Sequence, residues 1–115
     1  MAKNLIFVSI ACLLDNDITN TIDDCFIKAK NENNIRIGIC YQKDYEKEDV
    51  LQKYNNDCRI KIIRMDWKDA IGPMLPRSKI ISLITNEEYF LQIDCHTRFF
   101  ENWDQKILDN YNKCV

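Results

Sequence analysis

The stretch Leu5-Ile6-Phe7-Val8-Ser9-Ile10-Ala11 is apolar at every position but one. A strand with one face in water alternates apolar and polar side chains. A run that does not alternate needs cover on both faces, which is the condition of an interior strand in a parallel sheet. The residues that follow must therefore supply helices. Asp15-Asn16-Asp17 carries N-cap chemistry, and Ile18, Ile22, Cys25, Phe26 and Ala29 recur at helical spacing until the stop at Asn31 to Asn34. Ile35, Ile37, Ile39 and Tyr41 read as a second strand, Ile60 to Met65 as a third and Tyr89 to Ile93 as a fourth.

Helical cover continues between and beyond these strands. Gly72-Pro73 reads as a turn, Pro76 fits a first helical turn, and Ile80, Ile81 and Ile84 are expected to face inward. Trp103, Ile107 and Tyr111, at i, i+4 and i+8 with Asn102 as a cap, predict a last helix. Lys43 to Asn56 is mostly charged or polar, with Val50, Leu51 and Tyr54 among its few large apolar residues, and reads as a marginal helix or a mobile, solvated loop. The alternation predicts a Rossmann-like α/β fold, a mostly parallel sheet flanked by helices. With 115 residues there is one core, so residues 1–115 form a single domain. Ligands of such sheets bind beyond the carboxyl ends of the strands, here Ala11 to Asp15, Tyr41 to Gln42, Asp66 to Trp67 and Asp94 to Arg98.

Charge and cysteine usage narrow the partners. A net charge of -2, with acids interleaved among the lysines of Lys43 to Asp49, leaves no basic face for a nucleic acid, and that run reads as a solvated face. No apolar run approaches the ~20 residues of a membrane span, and the amino terminus reads as a strand rather than a leader, so no membrane partner is expected. Cys12, Cys25, Cys40, Cys58, Cys95 and Cys114 form no CxxC pair and lie mostly in apolar runs. They read as reduced thiols of a cytoplasmic protein.

The polarity of Asp94-Cys95-His96-Thr97-Arg98, directly after an apolar strand, marks the strongest candidate site. Asp94 and His96 are two apart, so an extended backbone points both to one side, where a carboxylate and an imidazole suit Mn²⁺ or Mg²⁺ completed by phosphate oxygens. The competing reading is a capping acid beside a surface histidine. Asp15 either contacts a nucleotide or caps the following helix. Arg77 either grips a diphosphate in bidentate fashion or starts a helix in solvent. Trp67 and Trp103 either stack on a ligand or fill the core. No GxGxxG, P-loop or GxSxG segment supports a dinucleotide oxidoreductase, an NTPase or a serine hydrolase.

Taken in order, several segments resemble one family: Ile6 to Ala11, Asp15, Thr21-Ile22, Asn34 to Gln42, Ala70-Ile71-Gly72-Pro73 with Arg77, then Glu88-Tyr89-Phe90-Leu91-Gln92-Ile93-Asp94-Cys95-His96-Thr97-Arg98-Phe99 with Trp103-Asp104. This is the GlcNAc-transferase family, which includes the cytoplasmic enzyme that adds GlcNAc to hydroxyproline of a ubiquitin-ligase adaptor. The resemblance implies a GT-A fold, a UDP-sugar donor such as UDP-GlcNAc, a protein hydroxyl acceptor and retention at the anomeric carbon. It also implies a divalent metal at an Asp-x-His signature carried by Asp94 and His96, with Asp15, Arg77 and Arg98 on the donor. Cys12-Leu13-Leu14-Asp15 stands where the family has a Ser-Tyr-Arg-Asp type segment, and Pro76 where an alanine precedes the arginine. The resemblance covers the donor half, so an acceptor half is expected from an oligomer or a second chain. A non-catalytic module derived from a glycosyltransferase, binding a nucleotide sugar or a protein, is the alternative.

Overall fold

Four parallel strands form the sheet, in the order β3-β2-β1-β4. They are β1 (Ile6–Leu13), β2 (Ile35–Lys43), β3 (Ile60–Asp66) and β4 (Tyr89–Asp94), joined by α1 (Ile18–Lys28) and α2 (Met74–Ile81) and followed by α3 (Trp103–Cys114). The structure, a computed structural model, describes residues 4–69 and 74–114, and the side chains of all but Met74, Leu75 and Cys114 among them. The expected Gly72-Pro73 turn lies outside the described residues. All pairs are parallel, so the four carboxyl ends share one rim, as the sequence predicts.

Two apolar layers cover the sheet. Ile6, Val8, Ile10 and Cys12 of β1 pack with Ile37, Ile39 and Tyr41 of β2 against Ile18, Ile22, Cys25 and Phe26 of α1 and Trp103 and Leu108 of α3. On the opposite face, Phe7 and Cys40 pack with Ile80 of α2, with Ala11, Ile63, Met65, Leu83 and Ile84 around them. This explains the unbroken apolar run: successive residues of β1 face α1 and α2 in turn. α2 buries Ile80 but leaves Ile81 56% exposed, against the expectation that it faces inward. The helix ends there, and Leu83 and Ile84, whose amides donate to the carbonyls of Ile80 and Ile81, supply the remaining cover.

β1 and β2 run two residues beyond their expected ends, and β3 and β4 one, because pairing continues past them. Leu13 is in register with Gln42 and Lys43 with Asp66. The loop after β2 is tied down more than its composition suggests. Leu51 and Tyr54, on either side of a single 3-10 turn at Gln52–Tyr54, are buried. Lys43 is buried too and pairs with Asp49 at 3.6 Å, which also accepts from Arg64 at 2.5 Å, so only the middle of the run behaves as a solvated face. Burial pushes the Asp49 carboxyl up, but hydrogen bonds from Arg64 and the Leu51 amide, with Lys43 nearby, outweigh it and hold it below the usual carboxylate range. The Tyr54 hydroxyl donates to Asp23 on α1 at 2.8 Å. Tyr54→Phe is expected to lose about 1.5 kcal/mol, the low end for a bond to a carboxylate, and to lower the melting temperature by about 6 °C in a thermal scan.

Candidate functional site

The chain leaves β1 through α1 to reach β2 on one side, and β4 lies on the other side of β1 after a connection through α2. The direction of winding therefore reverses between β1 and β4. A cleft opens at such a switch point, between the carboxyl ends of the two strands, and sheets of this kind place their ligands there. The residues that end β1 and β4 here are Asp15 and the Asp94 to Arg98 segment.

On the α1 side of this seam, the Asp15 carboxylate does two jobs. Oδ1 accepts from the Asp17 amide at 2.9 Å, the local turn that introduces α1. Oδ2 lies 3.5 Å from the Cys95 thiol and 3.6 Å from Nδ1 of His96. Asp15 thus does not cap α1, whose N-cap is Asp17 without a side-chain cap bond; one carboxylate oxygen closes the turn before the helix and the other faces the seam. α1 in turn fixes the loop that carries His96. The buried Thr21 hydroxyl donates to the Cys95 carbonyl at 2.8 Å, and the Asp24 carboxylate accepts from the Phe99 amide. Arg98 lies across the start of α1, bidentate on Asp17 at 2.7 and 3.0 Å. That guanidinium, with Asn20 behind it, holds the Asp17 carboxyl down at about 2.

Asp94 belongs to the opposite face. It pairs in register with Ala11 and follows Phe90 and Gln92 at a spacing of two, so it shares their side of the sheet. Phe90 stacks on Phe7 there, and the Gln92 amide oxygen accepts from the Arg77 guanidinium of α2. Among the described residues, Asp15 rather than Asp94 is the carboxylate within 4 Å of the His96 imidazole. β4 ends at Asp94 and the chain turns at Cys95-His96, which carries the imidazole over the seam toward α1. Sequence reasoning pairs Asp94 with His96 from a straight strand and has no means of seeing Asp15 arrive beside them, since about 80 residues separate it from Cys95 and His96.

Beside the seam, at the ends of β1 and β2, a cleft of about 280 Å³ is lined by Leu14, Asn16, Tyr41, Asp44, Lys47, Glu48 and Val50. Leu14 enters it with φ of 55°, a left-handed backbone that costs a non-glycine residue on the order of 1 kcal/mol. The Leu14 amide donates to the Gln42 carbonyl at 3.1 Å, which holds the turn. Of the two tryptophans, Trp103 is buried and donates its indole N–H to the Cys25 carbonyl at 2.9 Å, so it belongs to the core. Trp67 is 38% exposed at the end of β3.

The sequence profile of the family described as "Glycosyltransferase (GlcNAc)" matches residues 5–56 and 44–115, which together span almost the whole chain. The chain belongs to this GlcNAc glycosyltransferase family. The family match includes both strand ends that form the seam. The fold has a solved counterpart in Staphylococcus aureus TarS, residues 1–349, with a TM-score of 0.73 at 13% identity. The alignment covers 95% of this chain and 33% of that one, so the chain spans about a third of that structure. At this identity the likeness establishes the GT-A-like arrangement of the sheet and helices. No curated protein matches the sequence. Among the described residues, no helix of this family member is long and apolar enough to cross a membrane.

Proposed function

We propose that this chain is the donor-binding part of a metal-dependent glycosyltransferase that takes UDP-GlcNAc and passes the sugar to a protein hydroxyl. The observation that carries the reading is the β1–β4 switch point, with Asp15, Asp94 and His96 at its rim and an open cleft next to it. The nucleoside fits that cleft, where Tyr41 and Asn16 offer a ring and an amide. The diphosphate then lies along the seam, within reach of the Arg77 guanidinium, which a planar fork suits, and of Arg98 once it leaves Asp17.

The donor set fits a divalent cation. Asp94 is an exposed hard carboxylate, and the His96 side chain is 65% exposed and held to Asp15 by one solvent-facing contact, a kind worth little. Metal binding would require the exposed His96 ring to leave Asp15 and turn toward Asp94. Mn²⁺ or Mg²⁺ held by that pair leaves positions for phosphate oxygens and water. When bound, the metal supplies Lewis-acid stabilisation of the charge that grows on the departing diphosphate. Arg77 adds a fixed positive charge to the same group, and Asp15 orients the ribose through hydrogen bonds.

Calorimetry with UDP-GlcNAc and Mn²⁺ tests this. Binding is expected to strengthen at least tenfold when Mn²⁺ is added, and Asp94→Ala is expected to abolish that gain, about 1.4 kcal/mol or more. No heat at millimolar donor, or a gain untouched by Asp94→Ala, would refute a metal-dependent donor site. The chain spans about a third of the solved counterpart, and the acceptor is expected to be held by surface beyond these residues, whether from further polypeptide, a second copy or a second chain. The free thiols of Cys12, Cys25, Cys40, Cys58 and Cys95 fit a cytoplasmic setting. One observation favours a second reading, a non-catalytic nucleotide-sugar-binding or protein-interaction module. Leu13 and Leu14, half exposed at the rim, offer a nucleotide no polar side chain. Donor binding with neither sugar transfer nor donor hydrolysis would select that reading.

A further inference from the structure

A second use of His96 emerges from where its ring lies. Cys95 Sγ and His96 Nδ1 both approach the same oxygen, Oδ2 of Asp15, at 3.5 and 3.6 Å, and one ligand atom from each residue lies within 4.8 Å of the others. A tetrahedral Zn²⁺ with bonds of about 2.3 Å to sulfur and about 2.0–2.2 Å to nitrogen and oxygen sets its ligands apart by about 3.6 Å for sulfur to oxygen and about 3.4 Å for nitrogen to oxygen. The two edges to Asp15 thus lie within about 0.2 Å of the spacing such an ion demands, while the sulfur-to-nitrogen edge, bounded at 4.8 Å against about 3.5 Å, requires the exposed His96 ring to close in on the ion. The ligand types agree as well, since thiolate and imidazole select Zn²⁺ and its neighbours over Mg²⁺ or Mn²⁺.

We propose that Asp15, Cys95 and His96 form a thiolate-containing site for Zn²⁺ or a similar thiophilic divalent cation. The site needs neither a nucleotide nor Asp94; it draws on Asp15 and His96, which the donor reading also uses, so the two are alternative states of one rim and the nucleotide-free test below separates them. The groups that orient its ligands are already in place. Thr21 holds the Cys95 carbonyl and the Asp17 amide holds the other oxygen of Asp15, two contacts that fix the direction of two ligands. Cys12, one position beyond the paired residues Ala11 and Asp94, donates to the Asp15 carbonyl at 3.2 Å and lies behind the site. The Cys95 thiol gives up its proton to solvent as the sulfur–metal bond forms. The His96 side chain, 65% exposed, keeps the entry open and leaves the fourth position to water.

Co²⁺, a coloured substitute for Zn²⁺, tests the site on the intact chain with a phosphine reductant and no nucleotide. One equivalent is expected to bind with a sulfur-to-cobalt charge-transfer band in the near ultraviolet, to release one proton, and to be displaced by Zn²⁺ but not by Mg²⁺. Cys95→Ser is expected to remove the band and Cys12→Ser to keep it. His96→Gln, a change at an exposed side chain that leaves the fold intact, is expected to weaken binding about 100-fold. Cobalt bound without the sulfur band, a band that persists in Cys95→Ser, or an affinity indifferent to His96→Gln each overturns the site.

Discussion

Replacing Asp104 by alanine is expected to destabilise the chain by about 3 kcal/mol, because its carboxylate is 2% exposed and holds two backbone amides. Oδ1 accepts from Lys30 at 2.7 Å and Oδ2 from Asn31 at 2.9 Å. These amides belong to the chain just after α1, where no helical or strand partner is available to them. Hydrogen bonds to a charged acceptor contribute about 1.5–3 kcal/mol each, and because Lys30 and Asn31 lie at the surface, where water meets part of the loss, the lower figure applies to each. The carboxylate also sits in the first turn of α3, where the helix dipole favours a negative charge. Asp104→Asn keeps the shape and one acceptor, so it is expected to lose about half as much. Urea denaturation should show the midpoint falling with an unchanged slope, the sign of lost stability rather than a changed unfolded state. A midpoint shift below that of Tyr54→Phe would show that water replaces the carboxylate without loss.

The same contact explains a limit of sequence reading. Asp104 follows Trp103 and reads as an ordinary acid at a helix start, yet it accepts from residues more than 70 positions away. Nothing in a local pattern records such a partner. The strands were legible for the opposite reason, because each carries its burial in its own composition: Ile6 to Ala11 must be covered twice, and Ile35, Ile37 and Ile39 alternate against α1. Their order in the sheet was not legible. That β4 lies beside β1 rather than β3 is decided by α2 packing over β1 and β2, and it is this order that creates the seam. Lys43 shows a further gap. A lysine in a charged run reads as solvated, but its stem is buried and its ammonium is held between Asp49 and the ring of Tyr45.

The candidate site divides in the same way. Asp94, His96 and Arg98 stand out because charge appears abruptly after an apolar strand, and the structure puts that polarity at and just beyond the carboxyl end of β4. The turn at Cys95-His96 did not stand out, because a two-residue spacing assumes extended backbone, and β4 ends one residue too early for it. Cys95 was read as one of several buried thiols. Its sulfur is indeed buried, but against Asp15 and His96 rather than against side chains of the core alone.

Gly38→Ala provides the second large effect and tests how the α2 layer is packed. Two terms oppose one another there. Alanine in a strand interior gains roughly 0.5–1 kcal/mol over glycine through the smaller freedom of the unfolded chain. Against it, a Cβ on Gly38 would overlap the ring edge of Phe7 and stand 3.1 Å from Cγ2 of Ile80. A flexible side-chain end could swing aside, but this ring is 1% exposed and stacks on Phe90 with a centroid distance of 6.0 Å, and Ile80 is fully buried on its other side. Overpacking of this kind costs about 1–3 kcal/mol, with the upper part of that range appropriate where the obstacle is a confined ring. The clash wins, and a net loss of about 2 kcal/mol is expected. Phe7→Leu removes the ring edge at the cost of its own lost burial. In the double variant Gly38→Ala with Phe7→Leu the two losses should therefore sum to less than their separate values, by about 1 kcal/mol or more. Strict additivity, or a Gly38→Ala variant as stable as the parent, would mean that β1 and β2 can part enough to admit a methyl group. The Phe7 contact would then not be what requires glycine at this position.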